Sequence, residues 1–407
     1  MPITIADTTV QSSGNVNFQI SGTSTIAELS NTQGLRIAPA SPSVPYRGVR
    51  AQAFNTGSLA GFKNKIINGN MDISQRGSTF TNPGNDTYTL DRWRILYTTS
   101  ATFNVTWQSD APANSGLTNS LRLTVTGADT SIASTDSLTI RQRIEGVNAL
   151  DFFANEMRVT FWFKATVTGL YSVAVFNGSH DRSNVKGFNV TQSNTWLRYS
   201  MIFSSINSAP AGGTFNKQNG IGLQLAFTLM SGTSAQTTPG FWQTGTFIAT
   251  NAGQVNALNA VNNIVAITGV QLQAMQSPGI SDENTNYEPL EHRDYGTELA
   301  LCQRYYQEIG TSGDNILVYQ NTNVYPSASA VTYYFTTSYA TSMRPTPTAS
   351  LITSGGTWGS SNGLTLSVTP SINTIRYNMT VGANPSSSVF YFQNWNPSNR
   401  IVLDSEL

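Results

Sequence analysis

MRVTFWFKA, residues 157–165, sets Val159, Phe161 and Phe163 on one side of the chain at a spacing of two. Successive side chains of a strand point to opposite faces, so the stretch predicts one row on a core and one row turned outward. The same period runs through the surrounding chain. LRLTV at 121–125 alternates, Leu197, Tyr199, Met201 and Phe203 share a face in WLRYSMIF, and Ile221, Leu223, Leu225, Phe227 and Leu229 share one in IGLQLAFTL. Turns rich in Gly, Asn, Ser and Pro separate these runs, which predicts a large jelly-roll β-sandwich. No repeat of ~20–50 residues is visible, which argues against a propeller or β-helix.

Working outward, Leu299, Cys302, Tyr306 and Ile309 recur at helical spacing. Asp294 and Thr297 are suitable N-caps, Glu298 lies in the first turn, and Gly310 follows as a stop, so a helix is expected over 297–309. Strand patterns then return in ILVY, VTYYF, LTLSV, TIRYNMTV and SVFYF, enough for a second, smaller sandwich. At the other end, residues 1–60 hold strand fragments such as VNFQI at 16–20 and a proline-rich PASPSVP at 39–45. The expected architecture is mainly β. An N-terminal extended arm covers 1–60, a large jelly-roll β-sandwich 61–296, a short linking helix 297–312 and a smaller C-terminal β-sandwich 313–407.

Composition limits the function classes. Lys and Arg number 22 against 22 Asp and Glu, and charged residues make up 11% of the 407, against roughly 25% in an ordinary soluble domain. Ser, Thr, Asn, Gln and Gly fill the difference, giving a polar but uncharged surface. Nothing global points to a nucleic acid, which needs clustered bases. No apolar run approaches the ~20 residues of a membrane span. The opening MPITIADTTV lacks the basic start and apolar core of a signal peptide, so synthesis in a cytoplasm without secretion is expected. One cysteine excludes an internal disulfide framework and any zinc site built on several cysteines.

The segment EPLEHRDYGTELALCQRYYQEI, 288–309, concentrates the reactive residue types. A Cys–His hydrolase needs the thiol within reach of an imidazole. Cys302 lies instead on the expected apolar stripe, which together with Leu299, Tyr305 and Tyr306 is assigned to interdomain or oligomer packing. His292 sits among charged neighbours, and His180 in NGSHDR reads as a hairpin turn. Asp282, Glu283, Glu288 and Glu291 cluster in a loop and read as solvated acids rather than a glycosidase pair. No P-loop, GxGxxG or GxSxG occurs, so no enzyme activity is expected. For binding, Trp358, Trp395 with Asn394 and Asn396, and Trp242 beside Phe241 sit among small polar residues. They are candidate glycan platforms, or alternatively tryptophans that plug a sandwich end. Trp93, Trp107 and Trp162 lie in strand patterns and are assigned to the core. Between Leu29 and Met71 there is no acid, and Arg36, Arg47 and Arg50 are candidates for docking on an acidic protein surface.

Two segments together carry a resemblance. NKIINGNMDISQRG at 64–77 with YTLDRW at 88–93, and GVQLQ followed by NYEPLEHRDYGTELALCQRYY over 269–306, resemble bacteriophage tail-fibre and related virion proteins. There a carbohydrate-binding-module-like jelly roll opens with INGNFDIWQRG and ADRW and closes with a VQLE and LCQRYY pattern. SMRPTPT at 342–348 and the final VLDSEL fit as well. The resemblance implies a structural virion protein, commonly a homotrimer. Its arm would dock on other virion proteins, and its sandwiches would present a surface to host glycan at the tail or elsewhere on the particle. Decoration of a phage head or neck and polysaccharide depolymerisation are the alternatives. No cofactor is implied beyond a structural calcium held in related modules by acids of the opening and last strands. Asp72 is the first candidate ligand, but Gln273 stands where those modules often have the second.

Overall fold

The computed structural model describes residues 62–275, 289–309, 318–321, 331–352, 359–360, 365–381, 389–393 and 400–407, together with strand segments 16–19, 25–30 and 34–37. The chain is mainly β and divides into two compact units, Met1–Leu59 and Ala60–Leu407. In the first unit Val16–Gln19, Thr25–Ser30 and Gly34–Ile37 form an antiparallel meander, with Arg36 paired to Glu28 in register. Arg47 and Arg50 lie outside the described residues.

The second unit is dominated by two antiparallel sheets. The six-stranded sheet runs Leu197–Phe203, Met157–Ala165, Ile264–Ala274, Ser120–Gly127, Thr102–Gln108 and Thr79–Thr81 from edge to edge. The seven-stranded sheet runs Trp242–Thr244, Arg182–Val190, Gly169–Asn177, Ile221–Ser231, Ser137–Glu145, Arg94–Thr98 and Thr87–Tyr88. Strands adjacent in space are mostly distant in sequence, as in a jelly roll. The period-two rows meet between the sheets: Val159, Phe161 and Phe163 from one face Tyr171, Leu225 and Phe227 from the other. Phe161 packs edge-on to Phe227 at 4.9 Å between ring centroids, a geometry that adds to the burial of the rings themselves.

The joint region departs from the expected helix. The helix spans Tyr295–Gln303, and Tyr306–Ile309 is a strand paired with Arg400–Asp404. Its partner lies some 90 residues on, so the local apolar spacing could not disclose it. The C-terminal portion therefore begins within the segment expected to be helical. Among its described strands, Arg400–Asp404 lies between Tyr306–Ile309 and Thr348–Ile352, and Thr374–Val381 lies between Val331–Ser338 and Thr365–Pro370. Met343, Ile375, Tyr377, Ile401 and Leu403 form its own small core.

Candidate functional site

The two sequence segments that carry the resemblance meet in space and form the joint. Glu291 accepts the main-chain N–H groups of Lys63 (2.7 Å) and Asn64 (3.1 Å). Arg293 donates to the carbonyls of Asn64 and Ile66 and to both oxygens of Glu298. Glu298 in turn accepts the N–H of Asn68. Asn68 holds a left-handed backbone (φ 57°), and its side chain ties Ile73 and the Asp91 carbonyl into one turn. Glu291 is thus a bracket for the segment around Lys63 and Asn64, not the solvated loop acid expected. Asp282, Glu283 and Glu288 lie outside the described residues.

The helix buries Glu298 and Cys302, while Leu299 is only half-buried, so Cys302 lies inward as expected and Glu298 takes the place expected of Leu299. Burial pushes the Cys302 thiol well above its ordinary pKa, and Asp91 and Glu298 add to the shift. It stays a protonated, inaccessible thiol rather than a nucleophile. Tyr305 and Tyr306 lie buried beneath the guanidinium groups of Arg92 and Arg76, at 3.5 and 3.7 Å.

The outward row of Met157–Ala165 is Arg158, Thr160, Trp162 and Lys164. Register sets Thr160 between Ser200 and Gln271, and Trp162 between Arg198 and Thr268. Trp162 and Trp196 are both half-buried. The first was expected in the core although its own row faces away from Phe161 and Phe163; the second carried no signal beyond an apolar neighbour. The Lys164 ammonium lies 4.9 Å from the Trp196 ring centroid. Asp110 joins this cluster by accepting from Lys164, Arg122 and Trp196 Nε1 (3.2 Å). Partial burial works against its ionisation, but the bonds from Lys164, Trp196 and Arg122 outweigh that and hold its carboxyl below the usual range. Nearby, the buried hydroxyls of Ser120 and Ser200 have no protein partner.

A bulge positions Trp162. Thr160 pairs with Gln271 and Trp162 with Thr268, so Gly269 and Val270 together oppose Phe161. Gly269 is left-handed (φ 60°), and a Cβ there would stand 3.0 Å from Trp162 Cδ1 and 2.8 Å from Leu117 Cδ1. Gly269→Ala is expected to lower unfolding free energy by about 1–3 kcal/mol through overpacking and strain. Chemical denaturation measures it; an unchanged midpoint would show that the ring moves aside freely.

The other expected site residues divide into two groups. Trp395, Asn394, Asn396 and Trp358 lie outside the described residues. Trp242 is corrected to a plug: it is 4% exposed, donates to the Ser204 and Ser205 carbonyls, and packs edge-on to Phe215. Its strand carries the ring inward against the end of the core, so it offers no face to a ligand. Asp72 accepts from Asn119 Nδ2 at 3.0 Å. Among the described residues no group of three His, Cys, Asp or Glu stands close enough to hold a metal ion.

No protein-family model and no curated protein matches the chain. Among solved structures, the enzymatically active domain of tailspike protein 4 from bacteriophage CBA120 is similar at 16% identity and a TM-score of 0.31, over 52% of this chain and 22% of that one. A family 11 carbohydrate-binding module from Clostridium thermocellum, solved with a mixed-linked tetrasaccharide, aligns at 11% identity and a TM-score of 0.27, over 48% of this chain and 96% of that one. An exo-β-agarase aligns at 11% identity and a TM-score of 0.28, over 55% and 30%. Likeness of this size assigns neither family nor activity, so the functional reading has to stand on the chemistry of the site.

Proposed function

We propose that the outward face of the six-stranded sheet binds glycan, and that the protein is an adhesive structural component on the exterior of a bacteriophage particle. The observation that carries the first part is a pair of half-buried indoles from one face of the sheet, Trp162 in the outward row of its strand and Trp196 bonded to Asp110 beside Lys164. Aromatic faces take the apolar side of a sugar ring, while Asp110, whose side chain is 30% exposed, offers a partner to its hydroxyls. Asp110 is held ionised by three donors, which suits it to orient a hydroxyl. Hydrolysis would also need a carboxyl able to give up a proton. The reading is therefore of a binding protein.

The second part rests on the resemblance of 64–77, 88–93 and 269–306 to phage tail-fibre proteins. It includes a homotrimer, docking through the arm that carries Arg36, Arg47 and Arg50, and host-surface glycan as ligand. Many copies on one particle turn weak single sites into firm attachment.

Calorimetric titration of the full chain with host surface polysaccharide tests the site. Trp162→Ala with Trp196→Ala is expected to weaken binding at least ~30-fold, since buried aromatic anchors are worth ~2 kcal/mol or more. A folded double variant that binds as tightly as the parent would sink this reading of the face. Antibody labelling on the head rather than the tail would move the protein to a decorating role.

A further inference from the structure

The outward face of the seven-stranded sheet carries a different chemistry. Register sets Arg94, Arg141, Ala226, Ala174 and Val185 in one transverse row, and Arg143, Gln224, Phe176 and Ser183 in the next. Arg94 is paired with Asp86. Arg141 is 5% exposed, donates through Nε to Thr139 Oγ1 at 2.6 Å, and stands 5.1 Å from the Phe176 ring. No carboxylate of the described residues pairs with it, and burial alone pushes its pKa down to about 10. Arg143 is half-buried; it donates to the main-chain oxygen of Leu407, and its Nε is buried without a partner.

Gln224 is 1% exposed, with Nε2 at 3.1 Å from His180 Nε2 and Oε1 buried without a partner. His180 is exposed at the hairpin turn, and burial of part of its ring together with Arg141 and Arg143 lowers its pKa. Ala174, Phe176, Val185 and Ala226 on this same face are buried with Ile248 in a small core of their own, with Ala235 and Phe247 packed against it.

A buried guanidinium with no counter-charge is costly. The Thr139 hydrogen bond and the Phe176 ring offset that cost only in part. We propose that this face is a second ligand site, taking a carboxylate-bearing sugar on Arg141, Arg143, Gln224 and His180. The guanidinium fork matches a carboxylate, and the low-polarity surroundings strengthen that pair. Gln224 Oε1 is an acceptor that needs a donor. The ligand must therefore bring a negative charge and a hydrogen-bond donor close together, as a sugar acid does; inorganic phosphate carries both as well, so competition by it separates a simple oxyanion site from a sugar-acid site. The site shares no residue with the Trp162 face and stands apart from that proposal.

Calorimetry on the full chain with two matched pairs tests it: trigalacturonate against galactotriose, and sialyllactose against lactose. At least one acidic member is expected to bind more than tenfold tighter than its neutral partner. Arg141→Gln is expected to remove that preference without lowering the melting temperature, because it removes an uncompensated charge, and Trp162→Ala with Trp196→Ala is expected to leave it intact. A preference that survives Arg141→Gln would overturn the proposal. So would a lower melting temperature in that variant with no effect on binding, which would make the arginine structural. Equal competition by inorganic phosphate or sulfate would overturn the sugar class. Neutral glycan bound through the tryptophans, with no acid preference at all, would overturn this site and leave the other standing.

Discussion

Replacing Glu406 by leucine is expected to lower the unfolding free energy by about 3–5 kcal/mol, the usual cost of breaking one side of a buried ion pair. Glu406 pairs with both Arg92 and Arg76, and the side chains of Arg92 and Glu406 are 1% and 5% exposed. Arg92 lies on the Tyr305 ring and donates to the Arg143 carbonyl; Arg76 lies on the Tyr306 ring and faces Asp91 and Asp404 at 3.7 Å. The leucine leaves Arg92 packed on Tyr305 without its carboxylate partner, while Arg76 keeps Asp91 and Asp404. This is also where the last residues of the chain dock on the large sandwich, through Arg143 and Tyr88 to the Leu407 main-chain oxygen. Urea denaturation followed by tryptophan emission reads the loss. A change under ~1 kcal/mol would mean that the pair behaves as a solvated surface contact. Adding Arg92→Met to Glu406→Leu is expected to recover part of the loss, because the orphaned charge is then gone.

The large sandwich was legible because alternation is a local property. Leu223, Leu225, Phe227 and Leu229 declare one buried row within seven residues, and they form that row. Partners are not local. Nothing near Tyr306 indicates Arg400–Asp404, so a four-residue strand read as the last turn of a helix. Trp162 shows a different failure. Its row pointed outward by the same rule that placed Phe161 inward, yet its hydrophobicity outweighed its phase. The opposite happened at Trp242, whose glycine-rich neighbours suggested an exposed loop, although its indole closes the end of the core. Side-chain size and turn residues misled where strand phase and long-range packing decided the position. Arg141 carries no local sign of its role, since only the absence of an acid on three neighbouring strands makes it unusual.

The helix at the joint yields the second large effect. Local spacing marks Leu299 as the anchor, but the structure puts Glu298 there, one position earlier. Glu298→Leu is expected to cost about 3–5 kcal/mol, whereas Leu299→Ala is expected to cost less than about 1.5 kcal/mol for a half-buried side chain. The asymmetry follows from what each side chain holds. Leu299 covers part of a surface. Glu298 accepts from Asn68 N–H and from Arg293, itself spent on the carbonyls of Asn64 and Ile66. Removing the carboxylate leaves the buried Asn68 N–H unmatched and Arg293 with Glu291 as its one remaining carboxylate, and frees the turn in which Asn68 accepts the Trp93 indole N–H at 2.9 Å. Because Trp93 packs 6.3 Å from Phe227, its emission reports on that turn directly. Comparing the two variants by urea midpoint and by emission maximum separates the readings. A larger loss for Leu299→Ala than for Glu298→Leu would make the joint an apolar wedge; the reverse makes it a polar clasp between the helix and the 64–68 segment.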